Sequence, residues 1–111
     1  MSNNFISLSA NELAKKINSI PKVELANLPT PLEFLPNISK ELEINLFIKR
    51  DDCTGLAFGG NKTRHLEFIM HKAKIGDYDC ILTGAATQSN WCRQTVAAAN
   101  KLGLETFLVL M

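Results

Sequence analysis

Cysteine is scarce in this chain and cannot pair off completely: Cys53, Cys80 and Cys92 are odd in number and far apart. That pattern fits reduced thiols in a cytosolic protein better than a disulfide framework. There is no CxxC pair and no HExxH sequence, so no metal site is expected. Net charge is only +1 over 111 residues. Such a balance offers no basic stripe to nucleic acid and no attraction to an anionic membrane. Nor does any apolar run approach the ~18 residues of a membrane span. The start, Met1-Ser2-Asn3-Asn4-Phe5, lacks the basic and apolar regions of a secretory signal. Repeats and low-complexity tracts are absent. What is present is ordinary for a folded chain: 46% hydrophobic and 21% charged residues, enough to build a core.

All four prolines fall between Pro21 and Pro36, so regular structure is broken early and free to run later. Ser9-Ala10-Asn11-Glu12 is a capping box opening a short helix, with Leu13, Ala14 and Ile17 on one face and Pro21 ending it. Leu32, Leu35 and Ile38 read as packing residues. Ser39 to Glu43 forms a helical turn. Ile44, Leu46 and Ile48 alternate as a strand does. Asp51 to Gly60 reads as a loop.

The second half alternates cleanly. Leu66, Ile69, Met70 and Ala73 recur at helical spacing and predict a helix from about Lys62 to Lys74, followed by Gly76. Asp79 to Thr83 is a strand, and Gly84 to Gln88 a connection of small residues. Ser89 or Asn90 caps a helix running to about Lys101, and Gly103 stops it. Glu105 to Met111 is a second strand. The class is therefore α/β, with a βαβ unit whose strands are parallel and joined by a right-handed crossover. An apolar strand at the C-terminus leaves an edge in need of cover. A longer protein, or a truncated product, is the expectation.

Two stretches carry chemistry. In Phe58-Gly59-Gly60-Asn61-Lys62-Thr63-Arg64-His65-Leu66-Glu67 a lysine stands on the first turn of a helix, behind two glycines that admit close approach. Desolvation and the helix N-terminus both favour a neutral amine, which can attack a carbonyl. The plainer alternative is an exposed lysine after a turn. Gly55 to Thr63 also nearly spells a phosphate-binding GxxxxGK[ST] loop, but Asn61 intrudes between Gly60 and Lys62. The second stretch, Thr83 to Asn90, joins a strand end to a helix N-terminus. Unpaired N–H groups in that position attract a carboxylate or phosphate, although a plain helix cap would look the same. His71 and Glu67, four apart, read as a solvated helix pair rather than metal ligands.

Taken with Ile48-Lys49-Arg50-Asp51-Asp52-Cys53-Thr54-Gly55, these stretches resemble the N-terminal part of the family of D-cysteine desulfhydrase and 1-aminocyclopropane-1-carboxylate deaminase. L-cysteate sulfo-lyase belongs to the same group. The resemblance covers about Leu25 to Met111. It implies pyridoxal 5'-phosphate as cofactor and a partial fold type II architecture. Residues 1–61 would belong to the larger cofactor domain, and residues 62–111 would begin the smaller one. Lys62 would hold the cofactor and move a proton, with Asn61 beside it. Asn90 would hydrogen-bond the cofactor ring oxygen, and Ser89 would face the reacting substrate. Gln88, Ser89 and Asn90 would bind the carboxylate of a small amino acid. His65 stands where many relatives carry a phosphate-proximal lysine, and Trp91 where many carry histidine. The family's phosphate loop, and the group facing its pyridine nitrogen, come later in sequence than these stretches. A homodimer is implied for the full-length protein. The implied reaction releases pyruvate, ammonia and sulfide or sulfite. Cyclopropane-ring deamination, or a truncated non-catalytic homologue, are the alternatives.

Overall fold

The computed structural model describes residues 8–111, so the reading of Met1 to Phe5 lies outside the described residues. Helix α1 (Ala10–Asn18) opens with the expected capping box. Ser9 Oγ accepts from Glu12 N, and the Glu12 carboxylate accepts from Ser9 N at 2.8 Å. These bonds satisfy donors that a helix start leaves bare.

The prolines give short, irregular structure. Strand β1 (Leu32–Phe34) pairs antiparallel with β2 (Phe47–Lys49), Phe34 opposite Phe47. Helix α2 (Pro36–Leu42) lies between them, with proline in its first turn. Here the sequence expectations need correction. The strand proposed from Ile44 begins only at Phe47, because Ser39 claims the residues before it. Ile44 N donates to Ser39 O, and Leu46 N donates to Ser39 Oγ at 3.0 Å. Leu32 and Ile38 are exposed rather than packed, at 64% and 41%, and Leu35 is half-buried. The loop from Asp51 to Gly60 contains two short 3-10 turns, Asp51–Thr54 and Leu56–Phe58.

The second half is the predicted βαβ unit. Helix α3 (Lys62–Ile75) leads to β3 (Cys80–Ala85), then α4 (Asn90–Lys101) and β4 (Glu105–Leu110). Strands β3 and β4 are parallel, in register from Cys80 opposite Glu105 to Ala85 opposite Leu110. Strand β3 runs two residues past Thr83, through Gly84. That glycine lies so close to the Val109 carbonyl that a side chain would collide with it.

The core lies where α3 and α4 pack together. Leu66, Met70, Ala98 and Ala99 are fully buried, joined by Leu25 from the strap that links α1 to β1 and by Leu56 from the second 3-10 turn. The alanines permit the close approach that small residues in this helix suggest. Cys92 is buried, and all three thiols are free. Among the described residues, no helix is long and apolar enough to cross a membrane.

Candidate functional site

Lys62 is the first residue of α3 and is half-buried. The turn before it is built from unusual backbone. Gly55, Gly59 and Gly60 have φ of 86°, 73° and 134°, and Ala57 and Phe58 also take positive φ, at 45° and 66°. Non-glycine residues rarely adopt that region, and such strain persists only where surrounding bonds impose it.

Those bonds are visible. Gly60 N donates to Asp51 O at 2.8 Å and to Thr54 Oγ1 at 2.9 Å. Gly59 N donates to Leu56 O at 3.0 Å. From α4, the fully buried Gln94 reaches across with both ends of its amide. Its Nε2 donates to Gly59 O at 2.6 Å, and its Oε1 accepts from Thr63 Oγ1 at 2.8 Å. Arg64 braces the start of the turn, donating to both Asp51 carboxylate oxygens at 2.9 and 2.7 Å and to Thr30 Oγ1 at 3.1 Å. The Arg64 hydrogen bonds hold the Asp51 carboxyl below its ordinary range, against a burial effect in the opposite sense.

This network also decides against a phosphate-binding GxxxxGK[ST] loop. A phosphate cradle needs free backbone N–H groups. Here the N–H groups of Gly59 and Gly60 are spent on Leu56, Asp51 and Thr54.

Gly59→Ala is expected to cost about 2–3 kcal/mol, because its φ is positive and the new Cβ would strike the Asp52 carbonyl. Gly103→Ala is the control. Its φ is also positive, but nothing lies within 4 Å of the added atom. Urea denaturation of the two variants should rank Gly59→Ala clearly the worse.

The loop leading into α4 is simpler. Ser89 caps α4, its Oγ accepting from Cys92 N at 3.4 Å. Asn90 is the first residue of the helix, and the first N–H groups of any helix have no intrahelical acceptor. A Cβ on Gly60 would overlap Gln94 Nε2 and come within 3.6 Å of Asn90 Nδ2. The structure thus brings Asn90 within van der Waals reach of the turn that carries Lys62, and the absence of a side chain at Gly60 makes room for Gln94 Nε2.

Other singled-out residues fall differently. Asn61 is exposed at the start of α3, but its backbone is helical and its side chain makes no capping bond. His65 and Gln88 are exposed, and among the described residues no hydrogen bond joins either to Lys62. Trp91 packs at the core edge and donates from Nε1 to Thr83 Oγ1 at 2.8 Å, which satisfies its polar group as buried indoles require.

Glu67 is the main correction. It forms no solvated pair with His71. It is 3% exposed and accepts from Lys22 Nζ at 2.7 Å and from Leu25 N and Ala26 N at 3.0 Å each. Thr54, Thr63 and Gln94 were not anticipated at all. The one available signal was Gln94 itself, a long amide one turn beyond Asn90 in a helix otherwise built for close packing.

Lys62 thus opens α3 directly after a turn that the Asn90 and Gln94 side chains of α4 abut, next to the parallel βαβ unit. The pyridoxal-phosphate dependent enzyme family matches residues 23–111, and the chain belongs to that family. It is 48% identical over 96 residues to a D-cysteine desulfhydrase of Klebsiella pneumoniae subsp. pneumoniae, covering 86% of this chain and 29% of that protein. A D-cysteine desulfhydrase of Salmonella paratyphi C is 48% identical over 94 residues, covering 85% of this chain and 29% of the relative. A solved structure described as an ACC deaminase homologue superposes with a TM-score of 0.81 at 46% identity, over 85% of this chain and 29% of that one. The chain thus spans under a third of the length of these relatives.

Proposed function

We propose that the protein carrying this chain is a lyase acting on a small amino acid with a β leaving group, of the D-cysteine desulfhydrase or L-cysteate sulfo-lyase type. The observation that carries this reading is the junction of Gly60 with Asn90 and Gln94, which sets the Lys62 turn against the N-terminus of α4. It sits within a chain 48% identical to D-cysteine desulfhydrases. A fold type II architecture for the whole protein follows the same reading.

These donors suit the aldehyde and the ring oxygen of pyridoxal phosphate. Lys62 supplies the amine that holds it, Asn61 and Asn90 supply amides beside it, and His65 lies one helical turn on. Bound there, the cofactor supplies an electron sink for negative charge on the substrate's α-carbon. Ser89, Gln88 and the first N–H groups of α4 bind and orient the substrate carboxylate. The Lys62 amine takes the α-proton at Nζ and can return it. The β carbon–sulfur bond breaks with its electron pair leaving on sulfur. Overall, D-cysteine and water give pyruvate, ammonia and hydrogen sulfide; cysteate and water give pyruvate, ammonia and sulfite.

The likeness to an ACC deaminase homologue favours one second reading, ring-opening deamination of the cyclopropane acid. A panel assay on the protein carrying this chain separates them. Sulfide from D-cysteine, or sulfite from L-cysteate, is the expected result. Ammonia and 2-oxobutyrate from the cyclopropane acid, with no sulfur product, would reverse the ranking.

A further inference from the structure

We propose that Gln94 is a positioning residue for Lys62, acting through the Gly59-Gly60 turn; the inference rests on Lys62 being the cofactor lysine. Among the described residues, no hydrogen bond joins the Gln94 side chain to Lys62, Gln88, Ser89 or Asn90. Yet it is 0% exposed, and each end of its amide holds a different side of the lysine. On one side Nε2 holds the carbonyl of Gly59, three residues before Lys62. On the other, Oε1 holds the hydroxyl of Thr63, the next residue. Only an amide supplies both a donor and an acceptor from one side chain of that shape. The backbone between these two anchors takes positive φ at Gly59 and Gly60, so it does not keep this shape unaided.

The placement of Gln94 gives it a further role. It lies one turn beyond Asn90 on α4, and Gly60 abuts both side chains. One residue therefore fixes the distance between the lysine turn and the helix end assigned to the substrate. Small errors of that distance are costly, since ~1 Å of misplacement can cost about a hundredfold in rate.

The test compares wild type, Gln94→Leu, Gln94→Glu and Glu67→Gln in the protein carrying this chain. Gln94→Glu keeps the acceptor for Thr63 but turns a carboxylate oxygen toward the Gly59 carbonyl, so it serves if the leucine variant fails to fold. Glu67→Gln loosens α3 away from the turn and controls for general destabilisation. Two measurements are made. One is the rate of imine formation at Lys62 with pyridoxal, as a function of concentration. The other is acylation of Lys62 relative to Lys72 by an activated ester in cofactor-free protein.

Both Gln94 variants should lose roughly tenfold or more in the saturating rate while the half-saturating concentration moves less than about threefold. Relative acylation of Lys62 should rise as the half-buried amine is released. Glu67→Gln should leave both readouts within about twofold of wild type. An unchanged saturating rate in the Gln94 variants, or an equal loss in Glu67→Gln, would overturn the role of Gln94. Imine formation in wild type at a lysine other than Lys62 would instead sink the functional reading, while the acylation ratio would still report whether Gln94 holds the turn.

Discussion

Borohydride reduction of the protein loaded with pyridoxal phosphate should fix the cofactor on Lys62 alone, and Lys62→Ala and Lys62→Arg should each lose roughly a thousandfold or more in turnover. The arginine variant is the more informative. It keeps the positive charge and adds donors, but a guanidinium does not deprotonate in proteins and so supplies neither the amine nor a proton acceptor. Trypsin will not cut after a modified Lys62, so the labelled peptide should run from Asp51 to Arg64. Lys72 and Lys74 serve as internal controls: they lie in the last turn of the same helix and are exposed. Label at either of them, with Lys62 clean, would remove the main premise of the mechanism.

How much of this was legible in the sequence depended on the range of the forces involved. The capping box at Ser9, the helices α3 and α4 and the parallel strands β3 and β4 are written in local spacing and in caps, and they appear as expected. Lys62 and Asn90 were visible as residue types at helix starts. That the turn before Lys62 meets Asn90 was not, since Gly60 lies against Asn90 across about thirty residues of chain, a distance that no periodicity encodes. Gln94 was hidden for the same reason: its partners, Gly59 and Thr63, are distant in sequence. The first half misled where a side chain overrode the pattern. Ser39 captured the backbone around Ile44 to Leu46, and β1 emerged between prolines with no alternation of its own to announce it. Glu67 shows the limit most clearly. Its spacing to His71 suggested a solvated pair, but the strap bearing Lys22, Leu25 and Ala26 folds over it.

That strap makes Glu67→Ala the substitution expected to cost most in stability. Burial alone would push the Glu67 carboxyl up. The Lys22 ammonium and the N–H groups of Leu25 and Ala26 outweigh it, and the carboxyl is held below its ordinary range. Removing the side chain strands two N–H donors, one of them buried, at about 1–3 kcal/mol each. It also unpairs Lys22, although that side chain is 38% exposed and its ammonium recovers most of its hydration. The sum is roughly 3–5 kcal/mol, a large share of a domain's stability. Glu67→Gln keeps one carbonyl for the two N–H groups and should cost only about 1–2 kcal/mol. The pH dependence separates charge from packing. A carboxyl with a depressed folded-state pKa contributes stability above its ordinary value, about 4.3, and loses that contribution as pH falls through the depressed value. Wild type should therefore lose stability on acidification below about pH 4.3, and Glu67→Gln should lose less over the same interval. Urea midpoints measured from neutral pH downward test this directly. Parallel curves for wild type and Glu67→Gln would show that the Glu67 charge contributes nothing and that the strap is held by its packing on Leu66 and Met70.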